Sequence, residues 1–223
     1  PDTARGRGQR IDAPAIKQLA VQHGLPVIQP GLKTEILELL RKHGPLDMGI
    51  VVAYGLILPP EVIDFFPLGL SNIHASLLPT YRGPSPIEAA ILNGDEQTGI
   101  TLMQIEPKMD AGNIYAQRKL KLEGDESRAD LYQELSNLGA QLLVKTLPGI
   151  LDKRIVSNPQ NESLASYTKM ITKSDGEINW GQSAAAIERH VRAYLGWPGS
   201  YTQIWGHRVT ITSARVIDAS GPA

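Results

Sequence analysis

The sequence predicts an α/β fold, an open sheet whose strands alternate with helices, on three observations. Residues 48–53, Met-Gly-Ile-Val-Val-Ala, form an unbroken apolar run, as in a parallel strand covered on both faces. Residues 70–74 form a second short strand. Leu131, Leu135, Leu138 and Leu142 recur at helical spacing within residues 127–151, which predicts one long amphipathic helix. Alternating elements of this kind layer helices on a sheet.

The remaining elements follow from local chemistry. Residues 1–10 carry Arg5, Arg7 and Arg10 among Gly6 and Gly8 and read as a flexible basic loop. A helix capped by Asp12 follows, with Ile16, Leu19 and Ala20 in its stripe and Gly24 at its end. Residues 27–28 are expected as a short strand. Thr34 is expected to cap a helix holding Ile36, Leu37, Leu39 and Leu40, ended by Gly44. Residues 86–92 read as a helix and residues 99–106 as a strand. Residues 153–173 read as a linker, because Ser157-Asn158-Pro159-Gln160-Asn161 is polar and breaks both periods. Residues 183–194 then give a helix with Ile187, His190, Val191 and Tyr194 on one face. Residues 201–204 and 209–212 suggest a hairpin around Gly206-His207.

Composition bounds the function classes. The chain has 223 residues, 42% hydrophobic and 20% charged, with a formal net charge of −1. That is a globular composition, and any nucleic-acid contact must come from local patches. With no cysteine, disulfides, thiolate nucleophiles and cysteine-bound zinc are excluded. No run of 18 apolar residues exists, so no membrane helix is expected. The chain opens on Pro1 and ends just after a strand-like segment, and is expected to lack an N-terminal piece and part of its C-terminal domain.

The chemistry concentrates at Asn72 and His74. Residues i and i+2 of a strand share a face, and burying an amide and an imidazole there costs roughly 2–7 kcal/mol per unpartnered group. In open α/β sheets ligands bind beyond the carboxyl ends of the strands. Residues 75–86 continue from that end as an apolar loop with three prolines and Arg82, suited to wall a flat ligand. Asp110 follows the strand at 99–106. If that strand runs parallel to 70–74, Asp110 ends at the same rim, where a carboxylate would steady the imidazole. Amide, imidazole and carboxylate with no nucleophile suit direct acyl transfer, with Asn72 and protonated His74 donating to an oxyanion and Asp110 aiding proton removal. A structural histidine and an Asp serving a turn are the simpler alternatives. No metal-ligand spacing occurs among the histidines. Of Trp180, Trp197 and Trp205, at least two are expected in the core rather than stacking on bases.

Asn72-Ile73-His74-Ala75-Ser76-Leu77-Leu78-Pro79, with Arg82-Gly83, Pro86 and Asp110-Ala111-Gly112, resembles the signature of the 10-formyltetrahydrofolate-dependent formyltransferases. Residues 53–59, Ala-Tyr-Gly-Leu-Ile-Leu-Pro, are similar to the family's segment against the pterin ring. The resemblance covers nearly the whole chain. It implies a Rossmann-like, mostly parallel sheet with its first strand missing over residues 1–152, a linker over 153–173, and the start of an OB-like tRNA-binding barrel over 174–223. It implies Asn72, His74 and Asp110 as the catalytic trio. It also implies Tyr54, Gly55, Leu56, Ile57, Ser76, Leu77, Leu78 and Pro79 as the folate site. Residues 1–8 resemble an arginine-bearing loop that enters a tRNA acceptor stem, although residues 3–5 depart from its commoner wording. This implies tRNA contacts for Arg5, Arg7 and Arg10. The implied acceptor is the α-amine of initiator methionyl-tRNA, and 10-formyltetrahydrofolate is a consumed donor with no metal. A monomer in a bacterial or organellar cytoplasm, acting in translation initiation, is expected.

Three rivals share parts of this pattern. A formyltransferase acting on amino-sugar nucleotides has the same signature and a similar C-terminal domain, and Gly6-Arg7-Gly8 argues for tRNA over it. A glycinamide ribonucleotide enzyme would not need the segment after Lys173. A non-catalytic RNA-binding module would not need Asn72, His74 and Asp110 together.

Overall fold

The computed structural model describes residues 2–5, 10–32, 34–55 and 58–217, with only the backbone described at residues 3–5, 10 and 11. The chain divides into two compact units, one of residues 1–47 and 56–69, the other of residues 48–55 and 70–223.

The first unit holds β1 (Thr3–Arg5) and β2 (Arg10–Asp12), paired antiparallel with Arg5 opposite Arg10. The basic segment expected as a loop is therefore a hairpin over its described residues. Helix α1 (Ala15–Gln22) starts later than expected, with Pro14 rather than Asp12 at its N-cap position. Helix α2 (Glu35–Lys42) follows Thr34, whose side chain makes no cap bond. Its entry is held instead by the Glu35 carboxylate, which accepts from the Gly31 and Leu32 amides at 2.8 and 3.1 Å. The short α3 (Pro60–Ile63) completes the unit. Residues 27–28 form no strand. A two-residue apolar segment without a pairing partner gains no ladder bonds to hold it extended.

The second unit is built on a four-stranded sheet ordered β3 (Gly49–Val51), β4 (Leu70–His74), β5 (Gln97–Gln104) and β6 (Ile114–Lys121). β3 and β4 are parallel, with Val51 opposite Asn72. β5 runs antiparallel to β4, pairing His74 with Thr101 and Ser71 with Gln104. This corrects the parallel arrangement considered for the strand before Asp110. The loop and helix between β4 and β5 run back instead of crossing over, so the chain enters β5 on the side where β4 ends, with His74 opposite Thr101. Residues 105–113, a loop without a helix, then lead into the antiparallel β6. β6 went unrecognised in the sequence because its charged, partly exposed residues lie at the sheet edge.

Helix α5 (Arg128–Leu151) covers one face of the sheet. Ser127 caps it with a reciprocal Ser127–Asp130 pair, which satisfies free amides at the first turn. Leu131, Leu135 and Leu142 are buried against Ile100 and Leu102 of β5. The approach is close at Gly139, where a Cβ would lie 3.0 Å from Ile73 Cγ2. Helix α4 (Pro86–Asn93) starts on Pro86 and ends on left-handed Gly94, the usual asymmetry of helix ends. Its Ile87 and Ile91 join the same core as Ala193 of α6 (Ala184–Ala193) and Tyr194 just beyond it. The strands β7 (Ser200–Ile204) and β8 (His207–Ile211) form the predicted hairpin.

All three tryptophans are exposed, contrary to expectation: Trp180 at 59%, Trp197 at 46% and Trp205 at 94%. Trp205 stands at the hairpin tip, between β7 and β8, with φ +48°. Trp180 meets Thr202 through its indole N–H, at 2.8 Å.

Candidate active site

Strand alternation sets the site. Ile73 turns toward α5, so Asn72 and His74 point to the other face. Thr101 of β5 and Gln117 of β6 occupy that face as well. The Thr101 hydroxyl donates to the Ser76 carbonyl at 2.6 Å and accepts from the Leu78 amide at 3.1 Å. Gln117 Nε2 donates to the Leu78 carbonyl at 2.9 Å. These bonds pin the chain after β4 onto the sheet.

His74 is nearly buried, and its Nε2 lies 2.9 Å from the Tyr81 carbonyl. A carbonyl only accepts, so Nε2 carries a hydrogen and Nδ1 is the ring atom left for chemistry. The Asp110 carboxylate faces that atom, with Oδ2 at 3.8 Å from Nδ1. The same Oδ2 accepts from the Gly83 amide at 2.7 Å. Asn72 is half-buried, and no hydrogen bond engages its amide among the described residues. The trio expected from the sequence is thus brought together by a different route. β5 ends beside Ser71, and the loop after it carries Asp110 back over β4. Its base is closed by Gln104 N–H donating to the Asn113 carbonyl at 2.8 Å, and Asp110 turns it at φ +49°, which an Asp tolerates better than most residues.

Residues 158–168 pack along this loop and around Arg82. Arg82 is fully buried. Its guanidinium donates to Gln160 Oε1 at 2.8 and 3.1 Å, to Glu162 at 2.7 and 3.1 Å, and to the Tyr167 hydroxyl at 3.1 Å. Its backbone bridges Ser166 and Thr168. Arg82, then Lys108, hold the Glu162 carboxyl down at about 2. Gln160 Nε2 donates to the carbonyls of Asp110 and Gly112, both at 2.8 Å. Gly83 sits at φ +111° with Thr168 O 2.6 Å from where a Cβ would stand, so only glycine fits there. Sequence reasoning did not single out Gln160, Glu162 and Tyr167. The available signal was Arg82 itself, a charge in an apolar loop that required acceptors somewhere.

The expected folate residues divide. Val51 pairs with Asn72 in a parallel register, so the chain through Tyr54 and Gly55 leaves the sheet at the same carboxyl edge, with Tyr54 exposed. Leu56 and Ile57 lie outside the described residues, as does Arg7. Ser76 and Leu78 are buried; the Ser76 hydroxyl donates to the Thr80 carbonyl at 2.5 Å. Leu77 lies over Gly99, and the Pro79 carbonyl accepts from the Ser166 amide at 3.2 Å. These four support the loop. Leu77 also lines a cavity of about 360 Å³ with Thr80, Tyr81, Asp95, Glu96, Gln97 and Thr98, a set that contains none of the trio. Burial, the largest influence, together with Asp95 pushes the Tyr81 phenol there to about 12.

Known proteins match this chain along its length. The family described as "Formyl transferase" matches residues 1–147, and "Formyl transferase, C-terminal domain" matches residues 170–223. The methionyl-tRNA formyltransferase of Methylococcus capsulatus is 44% identical over 225 residues, covering 100% of this chain and 73% of that protein. Among solved structures, methionyl-tRNA formyltransferase from Clostridium thermocellum superposes with a TM-score of 0.67 at 20% identity, covering 92% of this chain and 88% of that one. HypX from Aquifex aeolicus, solved with tetrahydrofolic acid, gives 0.69 at 22% identity over 82% of this chain and 31% of that one. These two likenesses establish the fold. From the sequence matches along its length, the chain belongs to the formyl transferase family.

Proposed function

We propose that the protein moves the formyl group of 10-formyltetrahydrofolate to the α-amine of methionine on initiator tRNA. The observation that carries this is the meeting of Asn72, His74 and Asp110 on one face, with His74 Nδ1 and Asp110 Oδ2 3.8 Å apart. The identity to methionyl-tRNA formyltransferases across the whole chain supports the choice of acceptor.

The neutral α-amine attacks the formyl carbon, and a new C–N bond forms as the carbonyl oxygen takes up negative charge. Asn72 Nδ2–H and His74 Nδ1–H donate to that oxygen. The ring enters this step protonated at both nitrogens, and Asp110, on its Nδ1 side, balances the imidazolium charge and takes the proton released by the attacking nitrogen. The C–N10 bond then breaks as Asp110 passes that proton to N10, and formyl-amide and tetrahydrofolate leave with the carboxylate restored. A gap of 3.8 Å exceeds a hydrogen bond, and such contacts tighten in the substrate complex. The donor enters beside Tyr54 and Gly55 at the sheet edge. Arg5, Arg7 and Arg10 contact the phosphates of the tRNA, a role in which a cation positions rather than specifies.

The test offers formyl-labelled donor to the full-length protein with charged initiator tRNA and amino-sugar nucleotides in parallel. Label is expected in the aminoacyl-tRNA alone. Label in the sugar nucleotide instead would overturn the assignment of acceptor.

A further inference from the structure

On the formyl-transfer reading, we infer that Gln160 is a positioning residue that acts through Asp110, with Arg82 deciding which way its amide faces. A guanidinium only donates, so the Gln160 atom that meets Arg82 Nε and a terminal nitrogen at 3.1 and 2.8 Å is the oxygen. The amide nitrogen is then forced to face the opposite way. Both its hydrogens are used, on the carbonyls of Asp110 and Gly112 at 2.8 Å each. Those two carbonyls bracket the turn that presents the Asp110 carboxylate.

The same loop is gripped a second time from the Arg82 side. Gly83, the next residue, donates its amide to Asp110 Oδ2 at 2.7 Å. Asp110 therefore hangs between two anchors that both lead to Arg82, one through its fully buried guanidinium and Gln160, the other through the peptide that follows it. The turn itself resists relaxation, because Asp110 is left-handed at φ +49° and Gly112 packs on the Gln104 carbonyl, 2.0 Å from where a Cβ would stand. Loss of the Gln160 donors frees the backbone at Asp110 while Asn72 and His74 stay on β4. The consequence falls on the chemical step, since misplacement of a reacting group by about 1 Å costs about 100-fold in rate.

The experiment uses the full-length protein and Gln160→Glu, which keeps acceptors for Arg82 and removes both donors. Gln160→Met serves as a neutral second variant should the first fail to fold. Two quantities are read: kcat and KM for the folate donor, and the amide resonance of Gly83 in 1H–15N spectra. The expected result is a fall in kcat of about 100-fold, KM for the donor within about 2-fold, and a Gly83 amide displaced upfield with faster exchange. An unchanged kcat, a loss confined to KM, or a fall in kcat with the Gly83 amide unmoved would each overturn the inference. Were wild-type protein inactive on initiator tRNA, the assigned reaction would fall, and the Gly83 amide would still report whether Gln160 holds Asp110.

Discussion

At the scale of single residues, the site divides its labour by what each atom can still do. His74 has one nitrogen committed to the Tyr81 carbonyl and one facing Asp110, so His74→Ala removes both the proton at Nδ1 and the packing of the ring. Formyl transfer is expected to fall by about 10²–10⁴-fold, the range for a lost acid–base group, in a protein that still folds with a lowered thermal transition, since the Tyr81 carbonyl loses its donor and the ring its packing. Among the described residues no hydrogen bond engages the Asn72 side chain, so Asn72→Ala should spare stability and cost about 10²–10³-fold in kcat, as for one lost oxyanion donor. Gly83→Ala behaves differently. Its Cβ would meet Thr168 O at 2.6 Å in a left-handed backbone, so the loop must shift and the Gly83–Asp110 bond must break. Both stability in urea and activity are expected to drop.

At the scale of elements, the strap formed by residues 160–168 around Arg82 matters most. Arg82→Ala is expected to destabilise the protein by about 2–4 kcal/mol in denaturant titration, because it empties a fully buried site and takes both donors from the half-buried Gln160 Oε1, while the exposed Glu162 keeps Lys108. This element also marks where the sequence stopped being legible. Asn72 and His74 could be placed on one face because a strand has a period of two, and α5 was plain from its leucines. The strap has no such period. Its residues are polar, and their partners lie about 80 positions away at Arg82, a pairing that no local rule encodes. β6 stayed hidden for a related reason, since an edge strand carrying Arg118, Lys119 and Lys121 alternates too weakly to stand out. Asp110 was found by its place after β5, yet the antiparallel register means that a loop, not the strand end, delivers it to His74.

At the scale of the whole molecule, acid stability follows from carboxyls held down in the fold. Glu162 is kept at about 2 by Arg82 and Lys108, and Asp175 at about 2 by Lys169 and by Thr172. A folded value below the unfolded one contributes stability above the ordinary carboxylate range and loses it as pH falls toward the folded value. The unfolding midpoint should therefore decline between about pH 4.5 and pH 2, and Glu162→Gln should flatten that decline; urea titrations across this window measure both. Function at this scale requires the rim of β3 and β4, the returning loop and the strap to converge on one carboxylate. Single-turnover transfer of formyl to charged initiator tRNA by full-length Asp110→Asn tests that most directly, because the substitution removes a charge and changes little else in shape. The account predicts a rate about 10²–10⁴-fold below wild type with an unaltered fold by circular dichroism; transfer at the wild-type rate would contradict it.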